Sequence, residues 1–214
     1  MDLIAAVLLA PAPRGTVRIP LPRASATTPL SLQDEADLWV WACALRPATR
    51  RAAIRGMLTL GLGVGLLPTD TTFVTGGHVE VLGDAVVVHV PGHADSPARS
   101  VACRRAWQER LSATAEQAGA AAVLVAPWRQ TPPNPRNLDQ IRHHATVSAP
   151  PPVPWTQARL RNTWLVRHLN AGTPLPILLP AAGLTTLASV TALLPHLDRH
   201  DLQKSTRWLR DGCP

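Results

Sequence analysis

Hydrophobic residues recur at helical spacing along most of the chain, and they alternate with polar residues in only one short stretch. Leu38, Trp41 and Leu45 lie on one side of a helical wheel, which is typical of an amphipathic helix packed against a core. Ser31 precedes them and can cap the helix, with an acid three residues later. The pattern therefore predicts a helix over 32–46.

The same spacing predicts further helices along the chain. They are expected to begin at Pro47 and to cover roughly 103–118, 134–146 and 199–210. In the last of them, Leu202 and Leu209 are predicted to point inward. The helix that begins at Pro47 ends in a run of glycines at 61, 63 and 65. This run does not follow a strand, so a closely packed helix end is favoured over a dinucleotide-binding loop.

The alternating stretch is 78–90, which predicts a β-hairpin. Valines occupy every second position on either side of Gly83-Asp84, and this dipeptide suits a two-residue hairpin loop. A third short strand is predicted around 99–102. The apolar segment 121–127 is interpreted as a buried strand or extended segment. The fold class that follows is mainly α with a small antiparallel β-sheet between two helical blocks.

An arginine interrupts the apolar face of the helix that begins near Ala158. Arg161 lies between Leu160 and Trp164 on one side and Leu165 on the other. A buried guanidinium keeps its charge and has to be satisfied by hydrogen bonds. The candidate partners are DNA phosphate, an internal acid such as Asp70, or backbone carbonyls.

The motifs around this arginine follow a recognisable order. They read L-R-N-T at 160–163, A-G-T-P-L at 171–175 and A-G-L at 182–184, and an amphipathic helix follows. This order resembles the C-terminal half of the catalytic domain of tyrosine recombinases, the phage integrase family. The resemblance covers roughly 31–197 and implies that family's DNA breaking-rejoining fold, with 78–90 as the hairpin whose turn normally presents a catalytic lysine.

The resemblance also implies where catalytic residues should stand, and most of them are missing. Arg161 matches the second family arginine, whereas apolar residues occupy the positions of the first arginine, two histidine-type residues and the nucleophile. These replacements are Leu67, Ala158, Leu184 and Leu194 (or Leu193). The hairpin turn carries no lysine, and the sequence contains no tyrosine. Because the family reaction needs a tyrosine hydroxyl and several charged groups at the phosphate, the protein is expected to be catalytically inactive.

The charge of the chain favours a polyanionic partner. The net charge is +7 and the isoelectric point is about 11.1. The resemblance and the charge together predict contacts with the backbone of double-stranded DNA. The candidate contact residues are Arg50, Arg51, Arg55, Arg104, Arg105, Arg142, Arg159 and Arg161. The alternative is a solvated basic surface on an interaction or assembly protein, or on a decaying mobile-element remnant, with the C-terminal helix forming a homo-oligomer.

The remaining features bound the class of protein. The proline-rich residues 1–30 are predicted to form an arm, followed by one domain over 31–214, so the N-terminal core-binding domain of full integrases is expected to be missing. Three widely spaced cysteines favour reduced thiols in a cytoplasmic protein, and the resemblance implies a bacterial one. The run Leu3–Ala10 is too short to span a membrane. No cofactor or metal is expected, and His89 and His93 are interpreted as solvent-facing. Trp128 and Trp155 are predicted to be exposed.

Overall fold

The structure, a computed structural model, describes residues 28–93, 96–198, 205–206 and 209–210. Three strands lie in the middle of this part of the chain, between helical blocks, as the sequence predicts. They are β1 (Val79–Leu82), β2 (Ala85–Val90) and β3 (Arg99–Ala102). The α-helices are α1 (Leu32–Ala44), α2 (Ala48–Leu58), α3 (Pro68–Thr71), α4 (Gln108–Ala118), α5 (Pro135–Ser148), α6 (Gln157–Asn170), α7 (Leu175–Ala182) and α8 (Ala188–Thr191).

Helix α1 begins with the predicted cap. The Ser31 hydroxyl accepts a hydrogen bond from the Asp34 N–H at 3.0 Å, and the Asp34 carboxylate accepts one from the Ser31 N–H at 2.9 Å. The helix buries Glu35 together with Leu38 and Ala42. These three residues are three and four positions apart and share one face, so a carboxylate lies on the core side of the helix.

The sheet is antiparallel, with the strand order β1-β2-β3. Leu82 pairs with Ala85, which leaves the two-residue loop expected at Gly83 and Asp84. The buried residues of β2 alternate, and they are Val86, Val88 and Val90. The alternation confirms the predicted hairpin and shows that β2 contributes one face to the core.

Close packing explains the glycines at the end of α2, where the helix continues into a π-helical turn over Thr59–Gly63. A Cβ atom at Gly61 would lie 2.7 Å from the Cβ of Leu160, and one at Gly65 would lie 2.2 Å from Cδ2 of Trp164. Both contacts are shorter than van der Waals distance. The glycines therefore let α6 approach the end of α2 closely, as the sequence interpretation favoured.

Three predictions about the fold differ from the structure. Segment 121–127 forms turns with one isolated bridge, between Thr75 and Val123, and is not a regular strand. Trp155 is buried against Trp41, with ring centroids 6.3 Å apart, whereas Trp128 is 44% exposed as predicted. Leu209 is 89% exposed and does not point inward; Leu202 lies outside the described residues.

The last residues of the predicted arm pack against the domain. The Leu30 side chain is buried, and its N–H donates to the Thr163 hydroxyl of α6 at 2.9 Å. Residues 1–27 of the predicted arm lie outside the described part of the chain. Among the described residues, no helix is long and apolar enough to cross a membrane.

Two glycines with positive φ allow a matched stability test. Gly65 (φ 69°) faces the Trp164 ring, whereas a Cβ at Gly83 (φ 61°) meets nothing within 4 Å. Gly83→Ala should therefore cost only the backbone strain, about 1 kcal/mol. Gly65→Ala should cost about 1–3 kcal/mol more, because the methyl group overpacks the core. Urea unfolding of both variants measures the difference, and equal losses would show that Trp164 does not constrain this position.

Candidate functional site

Arg161 is buried on α6, and backbone carbonyls satisfy it. The Thr156 hydroxyl caps the helix, and the residue is only 5% exposed. Its Nη2 donates to the Ala182 carbonyl at 2.6 Å, and its Nη1 donates to the Gly65 carbonyl. Of the partners considered from the sequence, the carbonyls are the ones that accept these hydrogen bonds.

Burial disfavours the charged form of Arg161. Burial lowers the pKa of its guanidinium to about 10; the nearby Asp70 carboxylate opposes the shift and Arg99 adds to it. A pKa of about 10 still leaves the group charged at neutral pH. Arg161 is therefore a fixed buried cation whose two terminal nitrogens already have acceptors.

The Asp70 carboxylate is the hydrogen-bond acceptor at the centre of a second polar cluster, beside Arg161. Its fully buried carboxylate accepts hydrogen bonds from Arg99 at 2.5 Å and from the Ser96 hydroxyl at 3.2 Å, and it lies 2.8 Å from Nε2 of His93. Burial by itself raises the pKa of Asp70. The hydrogen bonds from Arg99 and His93, together with the charge of Arg99 and the Leu67 N–H, outweigh this effect and hold the pKa below its usual range. His93 therefore points inward, and the prediction that it faces solvent is wrong.

The two buried arginines meet at the end of α7. Arg99 donates from Nε to the Ala181 carbonyl at 3.1 Å, one residue before the carbonyl that Arg161 binds. Gly183 follows in the left-handed region (φ 64°), and a Cβ there would lie 3.1 Å from the Arg99 guanidinium carbon. Both side chains thus satisfy carbonyls that a helix end leaves free.

Arg161 joins two segments in which the sequence resemblance implies a replaced catalytic residue. Its acceptors, Gly65 and Ala182, each stand two residues before such a position, Leu67 and Leu184. Both leucines are half-buried. Ala158 is exposed on α6, and Leu194 is 57% exposed, next to a buried Leu193. These side chains offer no proton donor, nucleophile or charge.

Glu35 organises a third cluster, which the sequence reasoning missed. Its buried carboxylate accepts hydrogen bonds from Arg104 at 3.1 Å, from Arg167 at 3.3 Å and from the Trp107 indole N–H at 3.0 Å. Arg104, predicted to face phosphate, also donates to the Leu62 carbonyl and its side chain is only 13% exposed. Its charge is therefore turned inward. The available signal was that Glu35 shares a helical face with Leu38 and Ala42.

The other predicted contact arginines differ in how open they are. Arg105 is the most open, with 88% of its side chain exposed. Arg50 and Arg51 are half-buried on α2 and donate to the carbonyls of Arg46 and Leu45. Arg159 donates to the Thr28 and Pro154 carbonyls, which connects α6 to the last residues of the predicted arm and to the segment before the helix.

Arg142 and Arg55 are also partly engaged. Arg142 lies 3.6 Å from the Asp139 carboxylate on α5, and 26% of its side chain is exposed. Arg55 donates to Gln117 at 2.8 Å. His89, 44% exposed, hydrogen bonds to Glu80 and Ser100. Among the described residues, no group of three His, Cys, Asp or Glu is placed to hold a metal ion.

Comparison with solved structures identifies the fold. The XerA recombinase superposes with a TM-score of 0.61 over 86% of this chain, at 15% identity. The XerH site-specific recombinase bound to its difH substrate gives 0.60 over 87% at 12% identity. The Tn1549 transposon integrase in complex with circular intermediate DNA gives 0.57 over 86% at 14% identity.

The fold is that of a tyrosine recombinase catalytic domain. The chain spans 65%, 55% and 65% of those three proteins, respectively. No protein-family model matches the sequence, and no curated protein matches it. The similarity to recombinases is therefore clear in the three-dimensional structure, whereas the sequence motifs show it only in part.

Removing the Glu35 carboxylate charge should destabilise the protein strongly. Glu35→Gln leaves the largely buried Arg104 and the partly exposed Arg167 without their anion, and breaking a buried ion pair typically costs about 3–5 kcal/mol. Glu80→Gln is the matched control, since Glu80 is 51% exposed and pairs with His89; it should cost less than about 1 kcal/mol. Guanidinium chloride unfolding gives both values. A loss for Glu35→Gln as small as that of the control would refute the structural role of this cluster.

Asp70 should make stability depend on pH in the acid range. Its pKa is lower in the folded state than in the unfolded chain, so its contribution is fully present above the unfolded value of about 4. The contribution should be lost progressively as the pH falls through the lower, folded-state pKa. Urea unfolding between pH 6 and pH 3 measures this loss. Asp70→Asn should reduce the slope below pH 4, and an unchanged slope would contradict the assignment.

Proposed function

We propose that this protein binds double-stranded DNA non-covalently through surface arginines on a tyrosine recombinase fold, without cutting or joining strands. The observation that carries the proposal is the hydrogen bonding of Arg161, which with Arg99 and Asp70 forms the buried arginine centre. Arg161 stands at the second arginine position of the family, but the carbonyls of Gly65 and Ala182 take its terminal nitrogens. A guanidinium engaged in this way and 5% exposed is poorly placed to stabilise a phosphate undergoing reaction.

The residue types around that centre support the same conclusion. Leucine or alanine occupies the positions where the resemblance implies the first arginine, the histidine-type residues and the nucleophile, and the 214-residue sequence has no tyrosine. Transfer of a DNA strand to a protein requires a nucleophilic hydroxyl next to several groups that neutralise the phosphate. Loss of both requirements together argues against a covalent intermediate.

The charge and the structural neighbours support DNA as the partner. The solved structures show XerH bound to its difH substrate and the Tn1549 integrase in complex with circular intermediate DNA, and this chain carries a net charge of +7. With Arg104 and Arg161 turned inward, the proposed phosphate contacts are Arg50, Arg51, Arg105 and Arg142. Arginines that reach only phosphates position a protein on DNA with little sequence selectivity. We place this activity in the bacterial cytoplasm, in DNA recombination or integration by a mobile element.

The salt dependence of DNA binding tests this proposal. Affinity for a duplex should fall steeply as salt rises, with a slope of about 0.9 per phosphate contacted. The double variant Arg50→Gln/Arg51→Gln should lower that slope by about 2. Arg129→Gln is the control for loss of charge, because Arg129 is exposed but lies outside the proposed contacts. Fluorescence anisotropy measures both slopes, and salt-independent binding would exclude phosphate contacts.

The same preparation tests for loss of catalysis. A nicked duplex that traps covalent intermediates should give no protein–DNA adduct on a denaturing gel. The exposed hydroxyl side chains that follow Gly183 include Ser189 and Thr191, and Thr191 already donates to the Leu187 carbonyl. An adduct that disappears in Ser189→Ala or Thr191→Val would show that a substitute nucleophile exists and would overturn the inactive assignment.

A second candidate, an assembly protein, has support from a different surface. Large apolar side chains are exposed on α7 and on the turns after it, and they are Leu175, Ile177, Leu187 and Leu194. Large exposed apolar side chains are candidates for burial in a protein interface. Light scattering beside the binding assay separates the two candidates: an oligomer without DNA affinity supports assembly, and a monomer with DNA affinity supports the first proposal.

A further inference from the structure

A groove lies between α2 and α4, away from the arginine centre. Residues of both helices form its walls, and the segment that ends in Pro127 and Trp128 closes one side. Its volume is about 300 Å³, at the lower end of the range for small-molecule sites. Its polar side chains include Arg55, Thr49 and Gln117.

Arg55 is held in this groove by neutral partners. Its guanidinium carbon lies 5.1 Å from the centroid of the Trp39 ring, and its Nη1 donates to the Gln117 amide oxygen at 2.8 Å. Its Nε is buried without a hydrogen-bond partner. No ion pair joins Arg55 to a carboxylate among the described residues, in contrast to Arg104 and its partner Glu35. The position of this cation is thus fixed while its charge is not neutralised.

Trp128 provides a flat apolar surface at the same groove. It follows Pro127 and is 44% exposed, whereas Trp107 and Trp164 are buried in the core. An exposed indole beside an un-neutralised guanidinium is a combination that suits a ligand with a planar ring and a negative charge.

The first turn of α2 contributes backbone hydrogen-bond donors to the groove. Pro47 occupies the N-cap without a side-chain hydrogen bond, and the first turn contains no acidic residue. Ala48 and Thr49 belong to this turn and line the groove. The first N–H groups of a helix have no partner within it and favour anions.

From these contacts we propose that the groove binds a 5′-phosphorylated nucleotide. The phosphate lies against Arg55 and the start of α2, and the base stacks on Trp128. This site does not depend on the proposed duplex binding, and it gives Arg55 a role different from the backbone contact predicted from the sequence. The same chemistry is present in a free nucleotide and in the 5′ end of a DNA strand.

Titration calorimetry with adenosine 5′-monophosphate tests the site. Trp128→Ala should weaken binding by about fivefold or more, which is the smaller effect of losing a stacked base. Arg55→Gln should weaken it by roughly tenfold through loss of a charged hydrogen bond. Arg136→Gln removes an exposed arginine of α5 that lies outside both the groove and the proposed duplex contacts, and it should leave binding unchanged. Because Arg55 also stacks on Trp39, thermal unfolding checks whether Arg55→Gln is folded. If it is not, the Trp128→Ala variant tests the site, since Trp128 is exposed and its loss should not disturb the core.

The outcomes separate the proposal from its alternatives. Adenosine and inorganic phosphate should each bind more weakly than the nucleotide. Absence of nucleotide binding, or phosphate binding equal to it and insensitive to Trp128→Ala, would overturn the proposal. Competition by an oligonucleotide with a 5′ phosphate, but not by one lacking it, would assign the site to strand ends; failure of both would assign it to free nucleotides. Nucleotide binding without any affinity for duplex would contradict the proposed function and leave this site intact.

Discussion

The close approach of α6 to the glycine-rich end of α2 constrains the rest of the structure. Leu160 and Trp164 occupy the space that side chains at 61 and 65 would fill. Between them on the same helix, Arg161 is brought within hydrogen-bond distance of the Gly65 carbonyl and reaches α7 on its other side. One buried cation therefore connects three segments that are far apart in the sequence. Its burial is tolerated because the carbonyls replace the hydrogen bonds of water.

Arginine serves this fold largely as an internal connector. Arg99 is held by Asp70, while Arg104 and Arg167 share Glu35, and each of these arginines also donates to a backbone carbonyl. The planar guanidinium suits this use because it offers several donors in fixed directions. As a result the net charge overstates the charge that is available to a polyanion at the surface.

Because these arginines point inward, the fold can be maintained without presenting their charges to a substrate. A centre that stabilises a reacting phosphate has to present cations and proton donors to the substrate. Here Asp70 is completely buried and Arg161 nearly so, and the cluster satisfies itself. Hydrophobic packing and helix-end hydrogen bonds maintain the recombinase-like fold, and neither requires a nucleophile.

Local patterns determined much of this protein from the sequence alone. The cap at Ser31, the hairpin around Gly83 and the burial of Arg161 follow from contacts between near neighbours or from the side of a helix on which a residue lies. These features predicted the mixed fold, because hydrogen bonding and periodicity act over a few residues. The order of the motifs around Arg161 carried the family resemblance. Burial of Arg161 was predictable, but the choice between its candidate partners was not.

The tertiary structure alone decided where each charge is directed. Arg104 and Arg105 are adjacent in the sequence, yet their side chains are 13% and 88% exposed. The difference arises because Arg104 meets Glu35, a residue 69 positions earlier in the chain, whereas Arg105 lies beside an exposed acid. An ion pair between distant residues forms only when the packing of several helices brings them together, and no local pattern encodes that distance.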